Sequence, residues 1–209
     1  MSDVTSIFDY EKTNVKDIYE LIAHHFKVTR VFTWSWIDTF VHSINKNSLI
    51  YDIGCGNGRN MGYKDYNFIG IDNCENFINI CREKKYKVIL SNMMNIELPD
   101  NSGDAIISIA SFHHLSTHEN RIKALQEMKR LIKPNGEILI SVWSINQPDK
   151  TKVKFDKYGD TIVKWNKKYD RYYYIFQIDE ILQLFKLANL HVIQHKYDCG
   201  NEIFILTKI

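Results

Sequence analysis

Gly54, Cys55, Gly56, Asn57 and Gly58 follow directly on an apolar run, Ser48-Leu49-Ile50-Tyr51-Asp52-Ile53. Glycines at this spacing let a backbone turn sharply and leave bare N–H groups against which a polar ligand can lie. A second apolar run, Asn67-Phe68-Ile69-Gly70-Ile71, ends at Asp72, 18 residues beyond Gly54 (72 − 54). An acidic side chain at the end of a second strand commonly accepts hydrogen bonds from ribose hydroxyls. Together these features point to a nucleotide-type cofactor. The dinucleotide pattern G-x-G-x-x-G is excluded, because it needs glycine where Arg59 stands.

A parallel sheet would bring these residues together, and the hydrophobic pattern predicts one. Strands are expected at 48–53, 67–71, 87–90, 103–110 and 137–142, with the glycine loop opening a helix after the first. Further helices are expected at 15–27, 34–44, 75–85 and 117–133, where apolar residues such as Ile122, Leu125 and Met128 recur at helical spacing. Pro134-Asn135-Gly136 reads as the stop between the last of these and its strand. After Trp143 the pattern becomes irregular and charge-dense to about Ile178. A helix at 180–189 and a final hairpin, 191–196 with 202–206, close the chain. Alternation of this kind predicts an α/β fold with helices on both faces of the sheet.

Composition narrows the function. Of the 209 residues, 44% are hydrophobic and 25% charged, which fits a globular domain, and the net charge is +2. Nucleic-acid binding would therefore depend on local basic patches. The four cysteines (Cys55, Cys74, Cys81 and Cys199) form no C-x-x-C pair, so no metal site is expected. His113 and His114, adjacent on an extended segment, would point apart and make a poor metal pair. No signal sequence is visible near the start and no uncharged apolar run approaches a membrane span. A cytoplasmic protein is expected, with the nucleus as a second compartment.

The glycine spacing, with Asp52 just before it, resembles motif I of the class I methyltransferases that use S-adenosylmethionine. That resemblance implies that Asp52 and the loop hold the amino-acid end of the cofactor and Asp72 its ribose. Asn92 stands where such enzymes usually carry an Asp on the adenine amino group, and it keeps a carbonyl acceptor for that contact. Ser108-Ile109-Ala110-Ser111-Phe112-His113-His114, at the end of the fourth strand, is not the Asn/Asp-Pro-Pro-aromatic tetrapeptide of adenine-amino methylation. No cysteine stands there to attack a pyrimidine ring.

Longer blocks carry a closer resemblance. IAHHFKVTRVFTW (22–34), DIGCGNGRNMG (52–62), SIASFHHLSTHENRIKALQEMKRLIKPNGEILISVW (108–143), RYYYIF (171–176) and CGNEIFIL (199–206) resemble the tRNA carboxymethyluridine methyltransferases. That family includes the methyltransferase domain of an AlkB-homologue protein. The departures are Asn92, and Arg59-Asn60 where Lys-Tyr is usual. The resemblance implies a single methyltransferase domain over 1–209, with N-terminal helices (1–46), a cofactor-binding core (47–142), a substrate-side insert (143–178) and a C-terminal helix and hairpin (179–209). Its sheet would be the Rossmann-like seven-stranded one, last strand antiparallel. The implied cofactor set is Arg30, Asp52, Gly54, Cys55, Gly56, Asn57, Asp72, Asn73, Asn92, Met93 and Ala110.

Family members esterify the 5-carboxymethyl group of the wobble uridine of certain tRNAs. A carboxylate with a pKa near 4 is already nucleophilic at neutral pH, so no general base is required. The pocket needs donors that hold the carboxylate; the candidates are His25, Arg30, His113, Trp143 and Arg171. Segment 150–171 carries eight Lys or Arg against three Asp, interleaved with Phe155, Tyr158, Trp165 and Tyr169, which suits an anticodon stem-loop. From it and the adjoining tyrosines, Lys164, Lys167, Lys168, Arg171, Tyr172 and Tyr173 are the candidate RNA contacts. The resemblance also implies a small zinc-binding activator protein, pairing with the edge strand 87–90 and the apolar residues Met93, Met94, Ile96 and Leu98. The remaining readings are a small-molecule methyltransferase and an inactive cofactor-binding module that recruits tRNA or a partner.

Overall fold

The computed structural model describes residues 10–208; the first nine residues, part of the segment read for a signal sequence, lie outside the described residues. A π-helical turn at Lys12–Lys16 runs into α1 (Asp17–Thr29), and α2 is Ser35–Ser43. The core then alternates as β1 (Leu49–Ile53), β2 (Asn67–Asp72), α3 (Glu75–Glu83), β3 (Val88–Leu90) and β4 (Gly103–Ile109). After a 3-10 turn at Phe112–His114 come α4 (His118–Leu131) and β5 (Ile132–Trp143). β6 (Gly159–Trp165), β7 (Tyr169–Ile175), α5 (Ile178–Leu187), β8 (Leu190–Asp198) and β9 (Asn201–Lys208) complete the chain.

Seven strands form one sheet in the order β3-β2-β1-β4-β5-β9-β8, parallel as far as β5 and antiparallel from there. β1 and β4 lie in the middle and are almost wholly buried, because helices cover both faces. One apolar layer joins Leu125, Met128 and Leu131 of α4 to Ile53, Ile106 and Phe204; the other joins Trp36, Ile37 and Phe40 of α2 to Ile50, Ile107 and Leu139. From β1 the chain winds outward to β3, then returns to lay β4 on the other side of β1. The crevice at the carboxyl ends of β1 and β4 is therefore the topological switch point, where ligands bind in sheets of this kind.

Three expectations are corrected. No helix follows the glycine loop; residues 54–66 are turns and irregular backbone. Gly54, Gly56 and Gly58 all take positive φ (78°, 53° and 70°), a conformation from which a right-handed helix cannot propagate. The insert expected to be irregular contains the hairpin β6–β7, with Asn166 and Lys167 both at positive φ in its turn. β5 starts at Ile132 rather than Glu137. Pro134 is tolerated there because the pairing with β4 slips between Gly103 and Ala105, so it removes no ladder bond.

β3 is an edge strand as expected, with Leu90 48% exposed. The apolar residues beyond it are less available than expected. Ile96 is buried, and Met93, Met94 and Leu98 pack against the core cluster of α4 and β1. Among the described residues no helix is long and apolar enough to cross a membrane.

Candidate functional site

A pocket opens at the switch point, and its floor is the glycine loop. The Gly54 and Cys55 N–H groups donate to the Ile71 carbonyl, at 2.7 and 3.0 Å, which folds the loop onto the end of β2. Asp72 then fixes it: one carboxylate oxygen accepts from Gly56 N–H at 2.8 Å, the other from Cys74 N–H at 2.9 Å. Each oxygen keeps a lone pair for a ribose hydroxyl. A Cβ built on Gly54 would stand 2.4 Å from Cβ of Ser111, so the loop and the end of β4 touch at a spot only glycine fits. Ala110, next to it, is held at a φ of 52°, a strained conformation for a residue with a Cβ.

Asn57 lines the pocket as expected of a cofactor residue, with its side chain held by the protein. Its Nδ2 donates to the Arg30 carbonyl at 2.9 Å and its Oδ1 accepts from Arg59 N–H at 3.3 Å, stapling the loop to the end of α1. Cys55 lies buried with its thiol against Cys81; that contact and burial push it well above the usual thiol range. Asn73, Asn92, Met93 and Ala110 line the far wall. Asn92 Oδ1 accepts from Met94 N–H at 3.0 Å, which leaves one lone pair for an adenine amino group.

Beneath the floor lies charge that the chain does not satisfy: Asn60 lines the pocket, and Asp52 is buried behind the lining. Asp52 is fully buried, and neither carboxylate oxygen has a hydrogen-bond partner; the Asn60 amide lies close enough to ease its charge but outside hydrogen-bond geometry. Burial pushes Asp52 up to about 7, with Arg59 pulling down and Asp72 pushing up. Burial also raises Asp72 to about 6, against the pull of the Cys74 and Gly56 N–H groups. Asn60 Oδ1 is a third buried acceptor without a donor. Three unmet acceptors call for a ligand bearing a cationic N–H group, and the α-ammonium of an amino-acid moiety is one.

The roof is aromatic: Tyr19 and Phe26 of α1 with Phe77 of α3. The Tyr19 hydroxyl meets His114 Nε2 at 3.0 Å, Tyr173 Oη at 3.2 Å and an Arg171 guanidinium N–H at 3.2 Å. His114 Nδ1 faces the Tyr172 carbonyl at 2.8 Å, and a carbonyl can only accept. Nδ1 therefore carries the proton, Nε2 accepts from Tyr19, and Tyr19 accepts from Arg171 and Tyr173. Burial, with Arg171 nearby, pushes His114 down to about 3, so the ring stays neutral.

Three arginines gather beside this roof. The Arg30 and Arg171 guanidinium carbons stand 5.3 and 4.8 Å from the Trp165 ring, and Arg59 stands 4.4 Å over Trp34, close enough for Arg30 to lower its pKa. Burial is the largest cause of that lowering, to about 10, and the nearby Asp52 carboxylate opposes it. None of the three makes an ion pair with a carboxylate of the described residues. Arg171 is buried, and its Nε has no partner.

The other expected residues divide. Arg30 and Arg171 lie behind the pocket wall, on Phe26 and Tyr19. Trp143 stacks on Tyr173 at 4.5 Å and serves the same cluster from behind. His113 is buried facing away from the pocket: its Nδ1 accepts from Trp143 N–H at 3.0 Å, and burial holds its pKa far below the usual value. Its neighbour His114, not His113, lines the pocket, because residues 112–114 form a 3-10 turn instead of an extended segment. His25 is exposed and meets only the edge of Trp165, away from the pocket. Tyr172 and Tyr173 are each 1% exposed, so neither offers a face to an RNA base; Tyr172 donates to Asp160 at 2.7 Å. Lys164, Lys167 and Lys168 are exposed around the hairpin tip, Lys164 paired with Asp170. Tyr19, Arg59, Ser111 and His114 were not expected at the site, and Trp165, expected only as an aromatic of the basic segment, stands beside it between Arg30 and Arg171. Arg59 and Ser111 adjoin the motifs; Tyr19 carries no local signal.

A seven-stranded sheet in this order, with a glycine loop and an acidic residue at its switch point, defines a class I S-adenosylmethionine-dependent methyltransferase, and the unmet acceptors of Asp52 and Asn60 fit that cofactor. A methyltransferase-domain family profile matches residues 51–140. The chain is 41% identical over 150 residues to an Arabidopsis thaliana tRNA (carboxymethyluridine(34)-5-O)-methyltransferase, covering 71% of this chain and 37% of that protein. It is 30% identical to the enzyme of the same name from Schizosaccharomyces pombe, over 92% of this chain and 95% of that one. The chain belongs to the tRNA (carboxymethyluridine(34)-5-O)-methyltransferase family. It spans between 21% and 37% of the length of several other members it matches. A methyltransferase solved in complex with the Trm112 methyltransferase activator of Haloferax volcanii shares the fold, with a TM-score of 0.72 at 14% identity over 92% of this chain and 96% of that one.

Proposed function

We propose that the protein methylates the carboxylate of 5-carboxymethyluridine at the anticodon wobble position of tRNA, giving the methyl ester. The observation that carries this reading is the pair Arg30 and Arg171, which share the Trp165 ring beside the cofactor loop and form no ion pair with a carboxylate of the described residues, a positive field next to a methyl donor. Bound S-adenosylmethionine supplies a methyl group activated for transfer to an anionic oxygen.

The chain's residues then have three tasks. Asp52, Asn60 and the glycine loop hold the amino-acid end, and Asp72 the ribose. Arg30 and Arg171, behind the wall of Phe26 and Tyr19, draw the substrate carboxylate by charge, and the Tyr19 hydroxyl to which Arg171 donates carries that influence to the pocket, without protonating the carboxylate. Neutral His114 adds an oriented ring and no acid. Phe26, Phe77 and Tyr19 exclude water, so that alignment of oxygen and methyl supplies most of the acceleration. The nucleophile arrives ionised, so no base is needed. Esterification removes the negative charge, and the product loses its attraction to the arginines.

The test compares three anticodon stem-loops carrying 5-carboxymethyluridine, uridine or 5-carbamoylmethyluridine. Methyl transfer to the first alone is expected. Equal transfer to the uridine stem-loop would contradict the carboxylate mechanism, and transfer only to small acids would favour the small-molecule reading.

We further propose that β3 accepts a strand from a small activator protein. Among the described residues no strand pairs with its outer backbone, and Leu90 is exposed beside it. The Haloferax volcanii neighbour, seen with an activator, supports the reading. Leu90→Asp should abolish co-purification with such a partner while leaving cofactor binding intact; retention of the partner would refute this placement.

A further inference from the structure

We propose that Phe32 is a stacking platform for an RNA base adjoining the nucleotide held in the pocket; this rests on the tRNA reading above. Phe32 is 85% exposed, and Val31 beside it is 60% exposed. A phenyl ring has no polar atom to justify that exposure, and no aromatic ring of the described residues stacks on it.

Its position ties it to the pocket mouth. The Arg30 carbonyl accepts from Asn57, a pocket-wall residue, so Phe32 begins two residues from that wall, about 7 Å of extended chain. Residues 30–34 are not helical, which turns the segment outward. On one side Arg30 lies over Trp165, whose hairpin tip carries Lys164, Lys167 and Lys168; on the other Arg59 lies over Trp34. Residues 21–37 contain His24, His25 and Arg30, together with Lys27, whose ammonium is paired with Glu83, and no acidic residue. An exposed aromatic face among cations fits a strand of unpaired bases and phosphates better than it fits an apolar protein surface. An enzyme that draws one nucleotide out of a loop leaves the face of its neighbour bare, and Phe32 is placed to cover it.

The test uses the full chain, with its activator if one is required, and an anticodon stem-loop RNA. Phe32→Ala should raise KM for the RNA about tenfold, with kcat, cofactor affinity and melting temperature unchanged. Phe32→Leu should behave like Phe32→Ala, because it keeps apolar bulk and loses the ring face. Phe32→Trp should keep the wild-type KM, and its added fluorescence should be quenched when RNA binds. The salt dependence of binding should not change in any of them, since no cation is removed. An unchanged KM in Phe32→Ala, or a wild-type KM in Phe32→Leu, would overturn the proposal while wild-type methyl transfer upheld the function. Loss of a protein partner with RNA affinity intact would also overturn it. A wild-type chain that neither binds nor methylates the stem-loop would instead overturn the tRNA reading itself.

Discussion

The Gly56 N–H donates to an Asp72 carboxylate oxygen at 2.8 Å, so the residue expected to hold the ribose also holds the glycine loop in shape. Cofactor affinity and loop geometry are thereby joined in one carboxylate. Asp52, on the preceding strand, adds a second buried carboxyl, whose ionisation burial resists first and the Asp72 charge resists further. The floor of the pocket is prepared for a cation and is uncomfortable without one.

That discomfort predicts a pH dependence. Burial raises Asp72 to about 6 and Asp52 to about 7, from an ordinary value of 3.8. Without ligand these groups favour the folded state at low pH, and their contribution is lost as pH rises through 6 and 7. His113 and His114 act in the opposite sense. Burial lowers both, so the folded state loses stability as pH falls below their unfolded value of 6.5. The ligand-free melting temperature should therefore vary little between pH 5 and 7, because the two pairs oppose each other. S-adenosylmethionine affinity should instead fall by up to about tenfold per pH unit below 7 and more steeply below 6, where Asp72 also protonates, and binding near pH 6.5 should release protons. Calorimetry in buffers of different ionisation enthalpy reads both. Affinity independent of pH from 5 to 8 would refute the cationic-ligand account of Asp52.

Gly54→Ala tests the packing of the loop on β4. The added Cβ meets Ser111 at 2.4 Å, and the φ of 78° disfavours any side chain. Overpacking of this kind costs about 1–3 kcal/mol, and the left-handed backbone about 1 kcal/mol more. Adding Ser111→Gly should restore the first part and not the second, as a double-mutant cycle by chemical denaturation would read. Strict additivity of the two changes would show that they do not touch.

Tyr19→Phe removes the hydroxyl that meets His114, Tyr173 and Arg171 together. Losing the donor to His114 and the acceptor for Arg171 should lower kcat/KM for the RNA by about 10–100-fold, the scale of one or two unmet polar partners. The cofactor dissociation constant should stay within about twofold, since Tyr19 offers that end of the pocket only its ring. An equal loss of cofactor affinity would move Tyr19 from the substrate side to the cofactor side.

What the sequence made legible follows physical range. The strands and the glycine loop were readable because apolar runs and glycine spacing are local signals, and β1, β2 and β4 lie where the pattern put them. The missing helix after Gly58 was not, because helix propensity says nothing about three left-handed glycines in one loop. The β6–β7 hairpin was hidden by its polar positions: Asp160, Lys164 and Asp170 face out, as do Lys167 and Lys168 in the turn, while Val163, Trp165, Tyr173 and Ile175 turn in. Choosing His114 over His113 required a turn that sets the two rings nearly perpendicular, 4.7 Å apart. Tyr19 reaches the site from 95 residues away, and no local pattern announces such a meeting.

The hairpin tip supplies a prediction about salt. Lys167→Ala and Lys168→Ala should each weaken RNA binding and reduce the slope of log affinity against log salt by about 0.7–0.9 for each phosphate no longer neutralised. Lys164→Ala should do less, because its ammonium is already paired with Asp170 at 2.7 Å. Equal effects from all three, or none from Lys167 and Lys168, would place the RNA elsewhere.

The proposed function rests on an ester bond made at a carboxylate drawn in by Arg30 and Arg171. The most direct measurement is the chemical fate of an isotopically labelled methyl group transferred to 5-carboxymethyluridine-containing tRNA. After digestion to nucleosides, the label should sit on the modified uridine and leave as methanol under mild alkali, as a methyl ester must. Arg171→Ala should remove most of that label while the protein still binds S-adenosylmethionine. Label that survives alkali, or that appears equally on tRNA lacking the carboxymethyl group, would contradict the account.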